Sequence, residues 1–160
     1  MNLPKRKSPR LKDFDYSSSG AYFITICTQN KACLLSRIVG EGLAPPATRL
    51  TNFGKVAQKQ INQLENRFPS VCVDKYVIMP NHIHLILRLR RKTGGASPSP
   101  TVSEVIGAYK SLTTRICKHG NLFQRSFYDH VIREDDEYLK IWEYIDTNPV
   151  KWTEDCFYSE

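Results

Sequence analysis

The segment YVIMPNHIHLILRL, residues 76–89, constrains this chain more than any other. Side chains alternate along a strand, so Ile83, Leu85 and Leu87 share one face, and His82 and His84 share the other. Val71 to Ile78 is also strand-like, and Met79-Pro80-Asn81 is a short turn between the two runs. The pair reads as a hairpin. Its sheet buries one apolar face and carries two imidazoles, one side-chain step apart, on the other.

The rest of the chain supplies partners for that hairpin. Gly20 to Thr28 reads as a strand with Tyr22, Ile24 and Ile26 on one face and Phe23, Thr25 and Cys27 on the other. Asn30 to Arg49 holds Gly40, Gly42, Pro45 and Pro46 and reads largely as loop. Thr51 or Asn52 caps a helix whose stripe is Phe53, Val56, Ala57, Gln60, Ile61, Leu64 and Phe68, ended by Pro69. Residues 91–101 (RKTGGASPSPT) have the composition of a flexible loop. A second helix, Val102 to Lys118, turns Val102, Val105, Ile106, Tyr109, Leu112, Thr113 and Ile116 inward. Phe127 to Ile132 is a fourth strand. Asp135 to about Asp146 is a third helix with the stripe Tyr138, Ile141, Trp142 and Ile145, limited by Pro149. The order β-α-β-β-α-β plus a helix predicts an α+β, ferredoxin-like split βαββαβ antiparallel sheet with an additional C-terminal helix. At 160 residues the chain is one domain, 1–160, with a basic tail over 1–16.

Charge narrows the partner. Lys and Arg number 23 against 16 acids, a formal +7. The excess gathers at Lys5 to Lys12, at Arg88 to Lys92, and at Lys110, Arg115 and Lys118. Three basic clusters on a small domain point to a polyanion such as nucleic acid. No apolar run reaches the roughly 18–20 residues that span a bilayer, and the N-terminus lacks the apolar stretch of a signal peptide. A cytoplasmic protein with no membrane role is expected. Five cysteines with no CxxC pair argue against a disulfide scaffold or a Cys-rich zinc site.

Two neutral imidazoles on adjacent same-face positions can share a metal ion, or they can be unrelated histidines. Residues 144–149, YIDTNP, offer a complement. Tyr144 and Asn148 are four apart, hence neighbours on one helical face, and Tyr144 lies off the apolar stripe. Tyr109 is a rival nucleophile, read as core or substrate-facing because it lies among Val105, Ile106 and Leu112. His130 either faces the same site or bonds structurally, and is left out of the metal set.

MPNHIHLI followed by YIDTNPVKW resembles the single-tyrosine HUH transposases (IS200/IS605-like), and most of all the REP-associated tyrosine transposases. GEGLAPP at 40–46, FQRSFYDHVIR at 123–133 and NPVKW at 148–152 look like that branch too. The resemblance runs from Tyr22 to about Trp152. It implies His82 and His84 as metal ligands, Tyr144 as nucleophile, and Asn148 in place of the glutamine that completes the site in insertion-sequence members. It implies Mg²⁺ or Mn²⁺, a 5′-phosphotyrosine intermediate, and single-stranded DNA with hairpins as substrate, in a nucleoid-associated protein. Gln124 and Arg125 are implied DNA contacts. Arg10, Lys12, Arg88, Arg90, Lys110 and Arg115, from the basic clusters, fit backbone contacts. The insertion-sequence branch is dimeric and the REP-associated branch looks monomeric, so monomer or homodimer stays open. Two other readings remain: a non-catalytic nucleic-acid-binding module on a ferredoxin-like sheet, and a metal-assisted phosphoesterase using water.

Overall fold

The computed structural model describes residues 11, 13–40, 45–91, 94 and 98–159. Four strands build the main sheet: β1 (Gly20–Cys27), β4 (Val71–Ile78), β5 (His82–Leu89) and β6 (Tyr128–Ile132). They lie in the order β4-β5-β1-β6, and every neighbouring pair is antiparallel. This is the ferredoxin-like arrangement that the order of elements implies.

Register decides which face each residue takes. Tyr22, Ile24 and Ile26 pair with Leu87, Leu85 and Ile83, and all six are fully buried in one cluster. Two helices cover them: α1 (Asn52–Asn62), through Ala57 and Ile61, and α3 (Val102–Cys117), through Val105, Ile106 and Tyr109. Burying one such side chain is worth roughly 1.5–3 kcal/mol. A one-residue slip of β5 would put His82 and His84 into this core and expose the aliphatic row.

The opposite face is covered too. Helix α4 (Asp135–Thr147) lays Ile145, Ile141 and Tyr138 against Ile86, Ile132, Phe23 and Val77. The molecule is thus three layers, α1/α3, sheet, and α4. That explains why β5 is buried at every position except Arg88.

Several sequence expectations are revised. The stretch read as loop contains a two-stranded ribbon, β2 (Ser36–Val39) with β3 (Ala47–Leu50). Its glycines and prolines are confined to the connection, of which residues 41–44 lie outside the described set. The long first helix is two pieces, α1 and a single turn α2 (Leu64–Arg67), joined at Gln63. Ile116 is 49% exposed, and Cys117 packs against the core in the last turn of α3. Of the expected basic tail, Phe14 and Tyr16 pack against the core, while Arg10 and Lys12 lie outside the described residues. The described part of the 91–101 loop has no regular structure before Thr101, which caps α3 in a reciprocal box with Glu104. No helix among the described residues is long and apolar enough to cross a membrane.

Candidate active site

His82 and His84 stand at the start of β5, opposite Cys27 and Thr25 of β1. Both are buried, at 0% and 1% exposure. Thr25 Oγ1 lies 2.8 Å from His84 Nδ1. His82 Nδ1 lies 2.9 Å from Asn81 Oδ1. The Asn81 amide nitrogen donates to the Phe157 and Lys31 carbonyls at 2.7 and 3.2 Å, which fixes the amide's orientation. Its oxygen must therefore accept, so His82 carries its proton on Nδ1 and a lone pair on Nε2. Burial pushes the His82 pKa down to about 4, against an opposing pull from Asp155. Burial, with His82 adding, holds His84 well below the usual histidine range. Both rings are neutral at pH 7, the form that ligates metal.

Helix α4 brings two further groups from above. Tyr144 Oη is 3.4 Å from His84 Nε2, and its ring is 5.2 Å from the His84 ring. The tyrosine is 40% exposed, so one side faces the imidazoles and the other solvent. Burial, with Asp155 adding, pushes its phenol up to about 12. Asn148 caps α4 at φ −57°, ψ −40°. It keeps helical geometry rather than the left-handed conformation common after helix ends, so the four-residue spacing to Tyr144 holds.

Asp155, unmarked by any sequence pattern, completes the cluster. It follows the short 3-10 turn Trp152–Glu154. Its Oδ2 accepts from Asn148 Nδ2 at 2.8 Å and lies 3.8 Å from His82 Nε2. Ligand atoms of His82, His84 and Asp155 lie within 4.8 Å of one another. His82 Nε2 and Asn148 Oδ1 are buried with no hydrogen-bond partner. Stranding two such atoms costs roughly 1–3 kcal/mol each, and a divalent cation would satisfy both. The donor set, two neutral imidazoles with amide and carboxylate oxygens, fits such an ion. Phe157 and Trp152 wall the site, their rings 4.6 and 5.9 Å from the His82 ring.

The remaining candidates separate by position. Tyr109 is on the other face of the sheet, fully buried, and donates to the Ala57 carbonyl at 3.3 Å. It is a core residue. His130 bonds Glu137 on α4, which ties β6 to that helix. Lys110, Arg115, Gln124 and Arg125 line one groove between α3 and residues 121–125. Gln124 N donates to the Cys27 carbonyl, so this groove lies at the His82 end of the sheet. Arg88 and Arg90 lie at the far end, where Arg88 is held by Asp74 at 2.6 Å and the Arg90 N–H by the Ser70 carbonyl.

No family model matches the chain. Among solved structures it matches the REP-associated tyrosine transposase bound to a REP hairpin, with a TM-score of 0.64 and 22% identity, over 89% of this chain and 73% of that one. The chain has the fold of that class, a tyrosine-transposase fold, as its motifs imply. It belongs to one family with an uncharacterized protein of Haemophilus influenzae. The two are 33% identical over 172 aligned positions, 96% of this chain and 93% of that protein.

Proposed function

We propose that the chain is a single IS200-like transposase domain that cleaves and rejoins single-stranded DNA carrying REP-like hairpins through a tyrosine nucleophile. The observation that carries this reading is the Tyr144 hydroxyl 3.4 Å from His84 Nε2, beside a second neutral imidazole with an unpartnered nitrogen. The fold shared with a transposase bound to a hairpin supports it, as does the formal charge of +7.

His82 and His84 would hold a divalent cation, Mg²⁺ or Mn²⁺, with Asn148 or Asp155 as the oxygen ligand. When bound, that ion polarises the scissile phosphate and offsets the charge that develops on it. Tyr144 supplies the nucleophile. Its Oη–phosphorus bond forms as the phosphorus–O3′ bond breaks, giving a 5′-phosphotyrosine and a free 3′-OH. The phenolic proton is lost on attack, and the leaving oxygen takes one up. A phenol near pKa 12 is a weak nucleophile at pH 7, so nearby positive charge is needed to favour the phenolate. The covalent link conserves the phosphodiester for rejoining. Asn81 and Thr25 orient the imidazoles. Tyr144, the two histidines, Asn148 and Asp155 all come from one chain, so the reading needs no second copy.

The alternative of a non-catalytic module fits less well. Ferredoxin-like nucleic-acid modules stack bases on an open sheet face, and here α4 covers that face. A phosphoesterase using water would keep its activity in Tyr144→Phe. The test incubates labelled single-stranded hairpin DNA and Mn²⁺ with wild type, Tyr144→Phe and Tyr109→Phe, followed by a denaturing gel. A covalent band lost only in Tyr144→Phe is expected. An intact band in that variant would refute the assignment.

A further inference from the structure

The β2–β3 ribbon stands outside the four-stranded sheet, and the proposed chemistry gives it no task. Its register sets Arg37 directly opposite Arg49. Both are exposed, whereas Ser36 on the alternate face is buried. Among the described residues, no carboxylate pairs with either guanidinium. Like charges directly across a ribbon destabilise it, and an anion between them removes that cost.

Arg37 also lines a groove between the ribbon and the C-terminal turn, with Pro46, Pro149, Val150, Trp152 and Tyr158. Val150 and Tyr158 are 55% and 40% exposed. The Trp152 ring is shared, 5.3 Å from Tyr158 on one side and 5.9 Å from His82 on the other. The groove therefore runs from Arg37, whose cross-strand neighbour is Arg49, to the wall of the histidine site. A cationic rim over an apolar, aromatic floor suits a single strand, with phosphates on the guanidiniums and bases against rings.

We infer that the ribbon and this groove hold the single-stranded DNA flanking the scissile phosphate, with Arg37 and Arg49 gripping its backbone. The inference rests on the DNA-cleavage reading above and adds the place where the unpaired flank runs. A duplex stem offers no unstacked bases, so the site discriminates the flank from the hairpin.

The test measures fluorescence anisotropy with a blunt hairpin and with the same hairpin bearing a single-stranded extension. The extension is expected to tighten wild-type binding. Arg37→Glu is expected to cut that gain by about tenfold while leaving the blunt hairpin unaffected. In the double variant Arg37→Gln/Arg49→Gln, the salt slope for the extended substrate falls by about 1.4, from two contacts at about 0.7 each. Arg37→Glu faces Arg49 with the opposite charge, so its thermal midpoint holds or rises. Affinity and stability thus move apart, which damage to the fold cannot produce. If that variant unfolds, the double variant carries the test. Unchanged binding of the extended hairpin, or equal losses on both substrates, overturns the inference. A wild type that binds the hairpin but gains nothing from the extension overturns the inference alone. A wild type that binds neither substrate overturns the DNA reading with it.

Discussion

Asn81 Oδ1, 2.9 Å from His82 Nδ1, sets which nitrogen of that imidazole is free. The amide cannot turn over without losing its bonds to the Phe157 and Lys31 carbonyls. One side chain therefore fixes a tautomer and also ties the C-terminal segment to the start of β5.

In the proposed metal site, such a partner would tune a ligand without touching the ion. Asn81→Ala is expected to weaken Mn²⁺ binding by about 10–100-fold, the usual effect of removing a bond behind a metal-ligating histidine. His82→Ala and His84→Ala should lower it further, with the fold kept. Titration calorimetry reads all three, and Mn²⁺ affinity unchanged in the histidine variants would count against their being ligands.

The neutral histidines also make a prediction about pH. An unfolded histidine titrates near 6.5, and in the fold His82 titrates near 4. Between those values the unfolded chain binds the proton and the folded chain does not. Stability therefore falls as pH drops from about 6.5 to about 4 and levels off below. His82 contributes on the order of 3 kcal/mol, and His84 acts in the same direction. Urea unfolding with chelator present should show this loss in wild type and a smaller one in His82→Gln. An equal pH dependence in the two proteins would contradict it.

Much of the site was legible because its signals are local. Alternation in β5 sets both histidines on one face, and the four-residue step from Tyr144 to Asn148 needs only a helix. Asp155 was not legible, since neither period links it to its neighbours. It reaches Asn148 only because the chain turns at Trp152–Glu154. The β2–β3 ribbon was hidden for a similar reason. Each strand has four residues, too few for alternation to register beside glycines and prolines. The broken first helix keeps one apolar stripe across Gln63, so periodicity reads straight through the break.

Gly54 tests how the ribbon is joined to the core. A Cβ there would lie 2.0 Å from the Leu35 carbonyl oxygen, a backbone atom. That carbonyl also accepts from Thr51 N and Thr51 Oγ1, both at 3.0 Å, so it has little freedom to retreat. On helix propensity alone, Gly54→Ala would stabilise by about 1 kcal/mol. The clash is expected to reverse the sign, giving a net loss of about 1–3 kcal/mol. Denaturant unfolding decides between the two, and a stabilised variant would mean that α1 and residues 34–35 can separate at no cost.

In the proposed DNA-binding reading, Lys110 would position the groove beside residues 121–125, whereas Arg115 and Arg125 would contact DNA. Its ammonium donates to the Gln124 and Arg125 carbonyls at 2.6 and 2.8 Å, and half-burial lowers its pKa. It is already engaged by protein, whereas Arg115 and Arg125 beside it are exposed. Lys110→Met keeps the apolar stem and removes the bonds. It should cost about 1–2 kcal/mol of stability, at the low end for charged hydrogen bonds because the group is half-exposed. DNA affinity should fall as the 124–125 backbone shifts, but the dependence of log K on log salt should stay as in wild type. Arg115→Ala and Arg125→Ala should each lower that slope by about 0.7–0.9 with little change in stability, since each removes one phosphate contact. A slope lowered equally by Lys110→Met would make the lysine a direct phosphate contact instead.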